Sequence, residues 1–317
     1  MKSVSGRSPS AQRIFSSVLF GALLATMILA AGCGAGTAGT TNSTGTVPQF
    51  SHVVIVMEEN ASYSDAIGSS SMPYFNSLAT KYAVATQYFG DVHPSIGNYM
   101  MLTTGTLATI DDNFSGTISA DNLARQFAKD GKTWKVYAEG IPSAGYLGGD
   151  TGLYLKHHNP FAYFTDVTTN PAEAANIVPF TQFGSDVSAG TLPSFSLIEP
   201  DTADDGHDCP GGALACPVAD RLAPADAWLH NNIQPLITSS MMPDTLLVIV
   251  FDEGELSDLQ NGGGHVPAVV VSPKAKQGFH GVATYQHQNL LRTVGQALSL
   301  SSIPGEGATA GNMGEFF

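Results

Sequence analysis

Positive charge is scarce in this 317-residue chain. Lys and Arg total 13 against 27 Asp and Glu, a formal charge of −14, and a field of that sign repels phosphate backbones. A protein that coats nucleic acid is thereby excluded, although a small anion held locally by a metal or by histidine is not. Charge of either sign is limited to 13% of residues while Gly reaches 34 and Pro 18, so the surface leans on Ser, Thr, Asn and Gly, as in long-looped extracytoplasmic proteins. Tryptophan occurs only twice, and no long amphipathic or Trp-rich segment marks a lipid-interface enzyme. Gly-x-Ser-x-Gly, the mark of a serine esterase, is missing. Gly131-Lys132-Thr133 is no P-loop, since Gln126 stands where the earlier Gly belongs. Apolar residues are plentiful: 43% hydrophobic and 9% aromatic support a sizeable core and exclude wholesale disorder.

Lys2, Arg7 and Arg13 precede an uncharged stretch, 14–31, that leads to Ala30-Ala31-Gly32-Cys33. Basic, then apolar, then small residues before a cleavage point form an export signal, so residues 1–33 are expected to lie outside the fold of a protein exported from a bacterial cytoplasm. Small residues before Cys33 resemble a lipoprotein signal, which would leave that cysteine lipidated as a membrane tether. Ala30 stands where Leu is usual, so plain secretion and a retained anchor stay open. Loss of the leader takes the net charge from −14 to −17. Residues 34–49 read as a flexible tether, with a single catalytic domain over 50–317. Cys33 aside, Cys209 and Cys216 remain; a disulfide suits an oxidising compartment, with free thiols or metal ligands as alternatives.

Nearly unbroken apolar runs at 53–57, 134–138, 195–198, 246–251 and 266–271 suggest strands buried on both faces, as in a parallel sheet. Helical patterns at 72–82, 98–104, 121–129, 219–237 and 287–300 alternate with them. The expected fold is α/β, a three-layer sandwich with a mostly parallel central sheet and functional residues at the carboxyl ends of strands. Residues 140–193 read as an irregular insertion framing the site.

Polar residues cluster in four places: Glu58-Glu59-Asn60, 91–99 around Ser95, 201–208 with Asp204, Asp205 and His207, and 251–255 with Asp252 and Glu253. Each has a plain structural reading. Ser95 suits a helix N-cap, the acids suit turns or a solvated loop, and His158 and His287 suit packing. Their co-occurrence argues for chemistry, because carboxylates converging on one sheet edge are costly unless a cation sits among them. Oxygen ligands from Glu59, Asn60, Ser95, Asp252 and Glu253 would make a hard divalent-metal site, with histidines nearby for a second ion or an anion. A hydroxyl so placed becomes a nucleophile at neutral pH, and a helix start favours phosphate.

The series 53–60, His93-Pro94-Ser95-Ile96-Gly97-Asn98-Tyr99, Lys156-His157-His158-Asn159-Pro160-Phe161, Phe251-Asp252-Glu253, His265-Val266-Pro267 and Tyr285-Gln286-His287 resembles the phosphoesterase family of bacterial phospholipases C and acid phosphatases, within the alkaline phosphatase superfamily. The resemblance spans 51–300. It implies a fold like alkaline phosphatase, one or two divalent metal ions (Ca, Mg, Mn, Fe or Zn), and a small phosphate-ester substrate. Glu59, Asn60, Asp252 and Glu253 take the metal-binding positions, Ser95 that of the nucleophile. His158 and His207 are candidate catalytic acids, and Asp204, Asp205, His207, His265 and His287 candidate ligands of a second metal or of phosphate. Glu253 departs from the Asp or His of some branches, and His265 stands where several members carry Arg. Ser95 followed by Ile96-Gly97-Asn98-Tyr99 lacks the x-Pro-x-Arg of a sulfatase. The expected activity is that of a phosphomonoesterase working through phosphoserine, the alternatives being a phospholipase C-type phosphodiesterase or a non-catalytic exported binding lipoprotein.

Overall fold

The computed structural model describes residues 45–317. The leader, Cys33 and residues 34–44 of the expected tether lie outside them. Its strands are β1 (His52–Glu58), β2 (Ala83–Phe89), β3 (Trp134–Ala138), β4 (Ile177–Pro179), β5 (Phe195–Glu199), β6 (Thr245–Phe251), β7 (His265–Val271) and β8 (Phe279–Gly281). The helices are α1 (Tyr63–Ala66), α2 (Pro73–Lys81), α3 (Ile96–Thr104), α4 (Leu123–Asp130), α5 (Thr165–Thr168), α6 (Pro171–Ala174), α7 (Thr181–Ala189), α8 (Val218–Ile237) and α9 (His287–Ala297). All strands join one sheet in the order β4-β3-β5-β1-β6-β7-β2-β8. Among the described residues no helix is long and apolar enough to cross a membrane.

The apolar runs form the sheet's centre because they bury side chains on both faces: β5 and β6 are buried throughout, and β1 nearly so. Partners in adjacent parallel strands share a face, and the row Tyr137, Ile198, Val56 shows which. Tyr137 stacks edge-on against Phe183 of α7 and donates its hydroxyl to Asp186, so this row faces α7. Phe251, paired with Glu58, packs on Phe75 of α2, and α2 leans on α8 through Asp226, which accepts from the Tyr74 and Phe75 amides. The neighbouring residues Ala138 and Glu199 point the opposite way, and there the charge of Glu199 acts on Tyr99 of α3.

The predicted α/β sheet is present, with three differences. First, β7 runs antiparallel to both β6 and β2; an apolar run reports burial, not direction. Second, β2, β4 and β8 had no such run to reveal them, since β2 carries Thr86 and Gln87 and the others have three residues each. Third, 140–193 is no loose insertion, because it supplies β4 and α5 to α7. Chain order also begins before Phe50: Val47 is buried, and Asn312 Nδ2 donates to the Gly45 carbonyl at 2.8 Å.

Candidate active site

Three chain segments deliver the chemistry to the carboxyl edge of the sheet. β1 ends at Glu58, and Asn60 then takes a left-handed conformation, φ 53°, which asparagine tolerates better than most residues. This turns Glu59 inward, and its amide donates to the Asp205 carbonyl at 2.8 Å. β6 delivers Asp252 and Glu253. Ser95 sits just before α3, whose side chain makes no cap bond, so the N-cap reading of this serine fails.

Glu59 is the hub. Its Oε2 accepts from Ser95 Oγ at 3.0 Å and Asn60 Nδ2 at 2.8 Å, and its Oε1 accepts from the Tyr99 hydroxyl at 2.5 Å. His158 Nε2 lies 3.4 Å from Oε1, and its ring stacks on Tyr99 with centroids 5.3 Å apart. On the far side of that ring, Nδ1 stands 3.8 Å from Asp205 Oδ2. Asp252 Oδ1 accepts from the Asn60 and Glu253 amides at 3.3 and 2.5 Å. Burial, reinforced by Asp252 and Asp205, raises the Glu59 pKa well above the carboxylate range. Asp205 is raised likewise, and burial lifts Asp252 to about 6. His158 is pushed well below the ordinary imidazole value by burial and by its neighbours His157 and His207.

Asp252 Oδ2 and Asp205 Oδ2 are buried without a hydrogen-bond partner among the described residues. Orphaned carboxylate oxygens in a cluster of buried acids are the signature of a cation's place, and an all-oxygen set from Glu59, Asn60, Ser95 and Asp252 could hold a hard divalent ion.

The other predicted residues divide. Glu253 turns away: its Oε1 faces His93 Nδ1 at 3.0 Å and its Oε2 accepts from Asn98 Nδ2 at 3.2 Å. His207 stands at the rim, 39% exposed, with Nδ1 2.9 Å from Asp208 Oδ1 and its ring centroid 6.3 Å from that of His158. Asp204 belongs to a separate group with Glu139 and Asp201. His265 is not brought to the site. Its ring is sandwiched between Tyr63 and Phe89 at 4.5 and 4.8 Å, and Nε2 bonds the Thr86 carbonyl. His287 is buried behind Asp252 with both nitrogens engaged: Nε2 donates to the Asp252 carbonyl at 2.7 Å, and Nδ1 accepts from the Tyr88 hydroxyl at 3.1 Å. Burial lowers its pKa to about 4, so it is neutral and positions the Asp252 backbone in place of the expected ligand role.

Sequence reasoning did not assign Tyr99, His93 or Asp112. Tyr99 follows Ser95 by four residues, one helical turn on the same face, which was a usable signal; the other two contacts are long-range. Asp112 Oδ1 accepts from Ile96 N at 3.2 Å, placing a carboxylate on the first amide of α3. It also lines a cleft of about 400 Å³ with Phe114, Asp150, Lys156 and Tyr163. The larger concavity, about 720 Å³, is bordered by Gly45, Arg292 and Asn312 and includes no site residue.

The family model described as Phosphoesterase family matches residues 69–301. This chain belongs to the phosphoesterase family. As a member it is a hydrolase of phosphoric ester bonds. It is 30% identical over 256 residues to a phosphatidylinositol-3-phosphatase of Mycobacterium tuberculosis, covering 80% of this chain and 79% of the relative. A probable acid phosphatase of Kluyveromyces lactis is 28% identical over 77% of this chain. This chain spans only 57% of that yeast protein and 56% of an Aspergillus fumigatus acid phosphatase. Among solved structures, a lipoteichoic acid synthase of Listeria monocytogenes superposes with a TM-score of 0.58 at 14% identity, over 84% of this chain and 74% of that one. An alkaline phosphatase superfamily protein of Vibrio parahaemolyticus gives 0.54 at 14%, over 81% and 70%. These likenesses establish the fold.

Proposed function

We propose that this family member is a metal-dependent phosphomonoesterase acting through a phosphoserine on Ser95. The carrying observation is Ser95 Oγ, free of capping duty, held 3.0 Å from Glu59 Oε2 beside the partnerless Asp252 Oδ2. A divalent cation bound by Glu59, Asn60, Ser95 and Asp252 would supply positive charge that favours the ionised hydroxyl and the developing phosphoryl charge.

The chain's own groups do the rest. Ser95 Oγ attacks phosphorus, and Glu59 Oε2 is the acceptor already in place for its proton. The bond to the ester oxygen breaks in line, and that oxygen takes a proton from His207, which the rim exposes to a leaving group and Asp208 orients. His158, buried and held neutral against Glu59 and Tyr99, orients the site. Water then attacks the phosphoserine and gives one proton to His207, the bond from phosphorus to Ser95 Oγ breaks, Oγ takes back the proton held on Glu59 Oε2, and phosphate leaves. The first three amides of α3 are already taken, Ile96 N by Asp112 Oδ1 and Gly97 N and Asn98 N by the Pro94 and Ser95 carbonyls, so the helix start serves to present Ser95. That relatives are named phosphatidylinositol-3-phosphatase and acid phosphatase supports a monoester substrate.

We place this catalytic unit behind an export leader, either secreted or tethered by a lipid on Cys33. The Cys209–Cys216 disulfide supports an oxidising compartment.

Turnover of an aryl phosphate by metal-loaded wild type and by Ser95→Ala, each with and without chelator, tests the proposal. Wild type is expected to turn over, with Ser95→Ala and the chelated enzyme inactive. Equal rates for wild type and Ser95→Ala would refute it. Strong headgroup release from phosphatidylcholine with negligible monoester cleavage would favour the phosphodiesterase.

A further inference from the structure

Consecutive residues at the sheet's carboxyl edge look in opposite directions. Glu59 and Asp205 serve the site around Ser95, while their neighbours Glu58 and Asp204 serve another place. Glu58 pairs with Phe251 in the β1–β6 register and so shares its face, the one covered by α2 and α8. Glu139, immediately after β3, lies two residues past Tyr137 and returns to the face on which Tyr137 meets α7. The turn after β5 brings Asp201 and Asp204 to the same place, with Asp201 N donating to Glu139 Oε2 at 3.2 Å. One carboxylate oxygen each from Glu139, Asp201 and Asp204 lie within 4.8 Å of one another.

Three clustered acids are ordinary on a protein surface. The second observation is Glu58, which is fully buried with neither carboxylate oxygen hydrogen-bonded among the described residues. The β1–β6 register puts it on the sheet face to which Glu139 returns, and after burial the charges that bear on it are those of Asp205, Asp204, Asp226 and Glu139, all of them acids. No Lys or Arg among the described residues forms an ion pair with any of Glu58, Glu139, Asp201 or Asp204.

We infer that Glu58, Glu139, Asp201 and Asp204 form a second divalent-cation site, on the opposite face of the sheet from Ser95. The donors are all carboxylate oxygen, Glu58 buried and Glu139, Asp201 and Asp204 partly open to solvent, which suits a hard ion of the calcium type, completed by water. Such an ion would fasten the ends of β1 and β3 to the 201–204 turn, and through residues 58–59 and 204–205 it would set the backbone on which the site around Ser95 is built.

The test is calcium binding by the full chain, followed by equilibrium dialysis and by the thermal midpoint, in an Asp252→Asn background so that the catalytic site weighs equally in every comparison. Adding Glu139→Gln and Asp204→Asn is expected to remove one bound Ca²⁺ per chain and abolish the calcium-dependent rise in midpoint. Without calcium these neutral substitutions should leave the midpoint equal or higher, because they relieve like-charge repulsion. If that variant fails to fold, Asp201→Asn alone should raise the calcium dissociation constant at least tenfold. Equal calcium stoichiometry and affinity with and without the substitutions would overturn the inference, whatever the phosphatase assays show.

Discussion

Replacing Tyr99 by Phe isolates one interaction of the Glu59 hub. The ring remains, so the stack on His158 at 5.3 Å and the packing of α3 are retained; only the hydroxyl's bond to Glu59 Oε1 at 2.5 Å is lost. A hydrogen bond to a charged, buried acceptor contributes about 2 kcal/mol. If that orientation is needed when phosphorus is attacked, its loss is a roughly 30-fold fall in kcat/KM. The sign of the pH effect follows independently. Burial raises the Glu59 pKa while the Tyr99 bond lowers it, so removing the hydroxyl pushes the pKa further up. In the proposed mechanism ionised Glu59 is the working form, and the acid limb of the kcat/KM profile should therefore move to higher pH. The assay is aryl phosphate hydrolysis across the acid range at saturating metal. A variant within twofold of wild type, with an unmoved acid limb, would refute the hub role of Glu59.

Four further outcomes are expected. His287 has a folded pKa of about 4 against about 6.5 unfolded, so its contribution to stability is complete above pH 6.5 and is lost as pH falls toward 4. The stability difference between wild type and His287→Gln should shrink by about 3 kcal/mol over that window; taking the difference cancels the nearby Asp91, whose pKa, raised to about 7, acts in the opposite direction. Cys209 and Cys216 are 7 residues apart, and opening that loop should cost about 2.5 kcal/mol on chain-entropy grounds, read as a lower urea midpoint in reductant; coincident midpoints would contradict it. In Gly90→Ala, the new Cβ would lie 2.7 Å from the Gly263 carbonyl oxygen and 2.8 Å from that of Asp252, so stability should fall by about 1–3 kcal/mol and activity with it. The helical Gly184→Ala, with nothing within 4 Å, should instead stabilise by about 0.5–1 kcal/mol.

Much of the architecture was legible because burial on both faces writes itself into composition: β1, β3, β5, β6 and β7 contain nearly unbroken apolar runs. Strand direction leaves no such mark, and neither do three-residue strands, so the reversal at β7 and the existence of β4 and β8 had to come from the structure. Within the site, Glu59, Asn60, Ser95 and Asp252 could be placed in advance because each stands next to a strand end or helix start. The pairing of Glu253 with His93 across 160 residues of chain, and the sandwich that holds His265 away from the site, arise from tertiary neighbours to which no local pattern refers. For His287 the residues alone suggest packing and the family resemblance a ligand of a second metal or of phosphate; the decisive fact, that the carbonyl and not the carboxylate of Asp252 accepts its hydrogen bond, is invisible in a side-chain alphabet.

The reversal at β7 has a consequence of its own. Because β6 and β7 are adjacent and antiparallel, residues 252–264 leave and re-enter the sheet at the same edge and need no crossover to the other end. Asp258 within this excursion accepts from His265 N and from Ser62, while its carbonyl meets His93. The segment is thus a loop closed on itself beside Asp252, with Gly254 N bonded to the Gly263 carbonyl, and its length can change without shifting the register of any strand. Under the mechanism proposed above, variation in the alcohol released has, in that loop, a place to accumulate while the groups around Ser95 stay fixed.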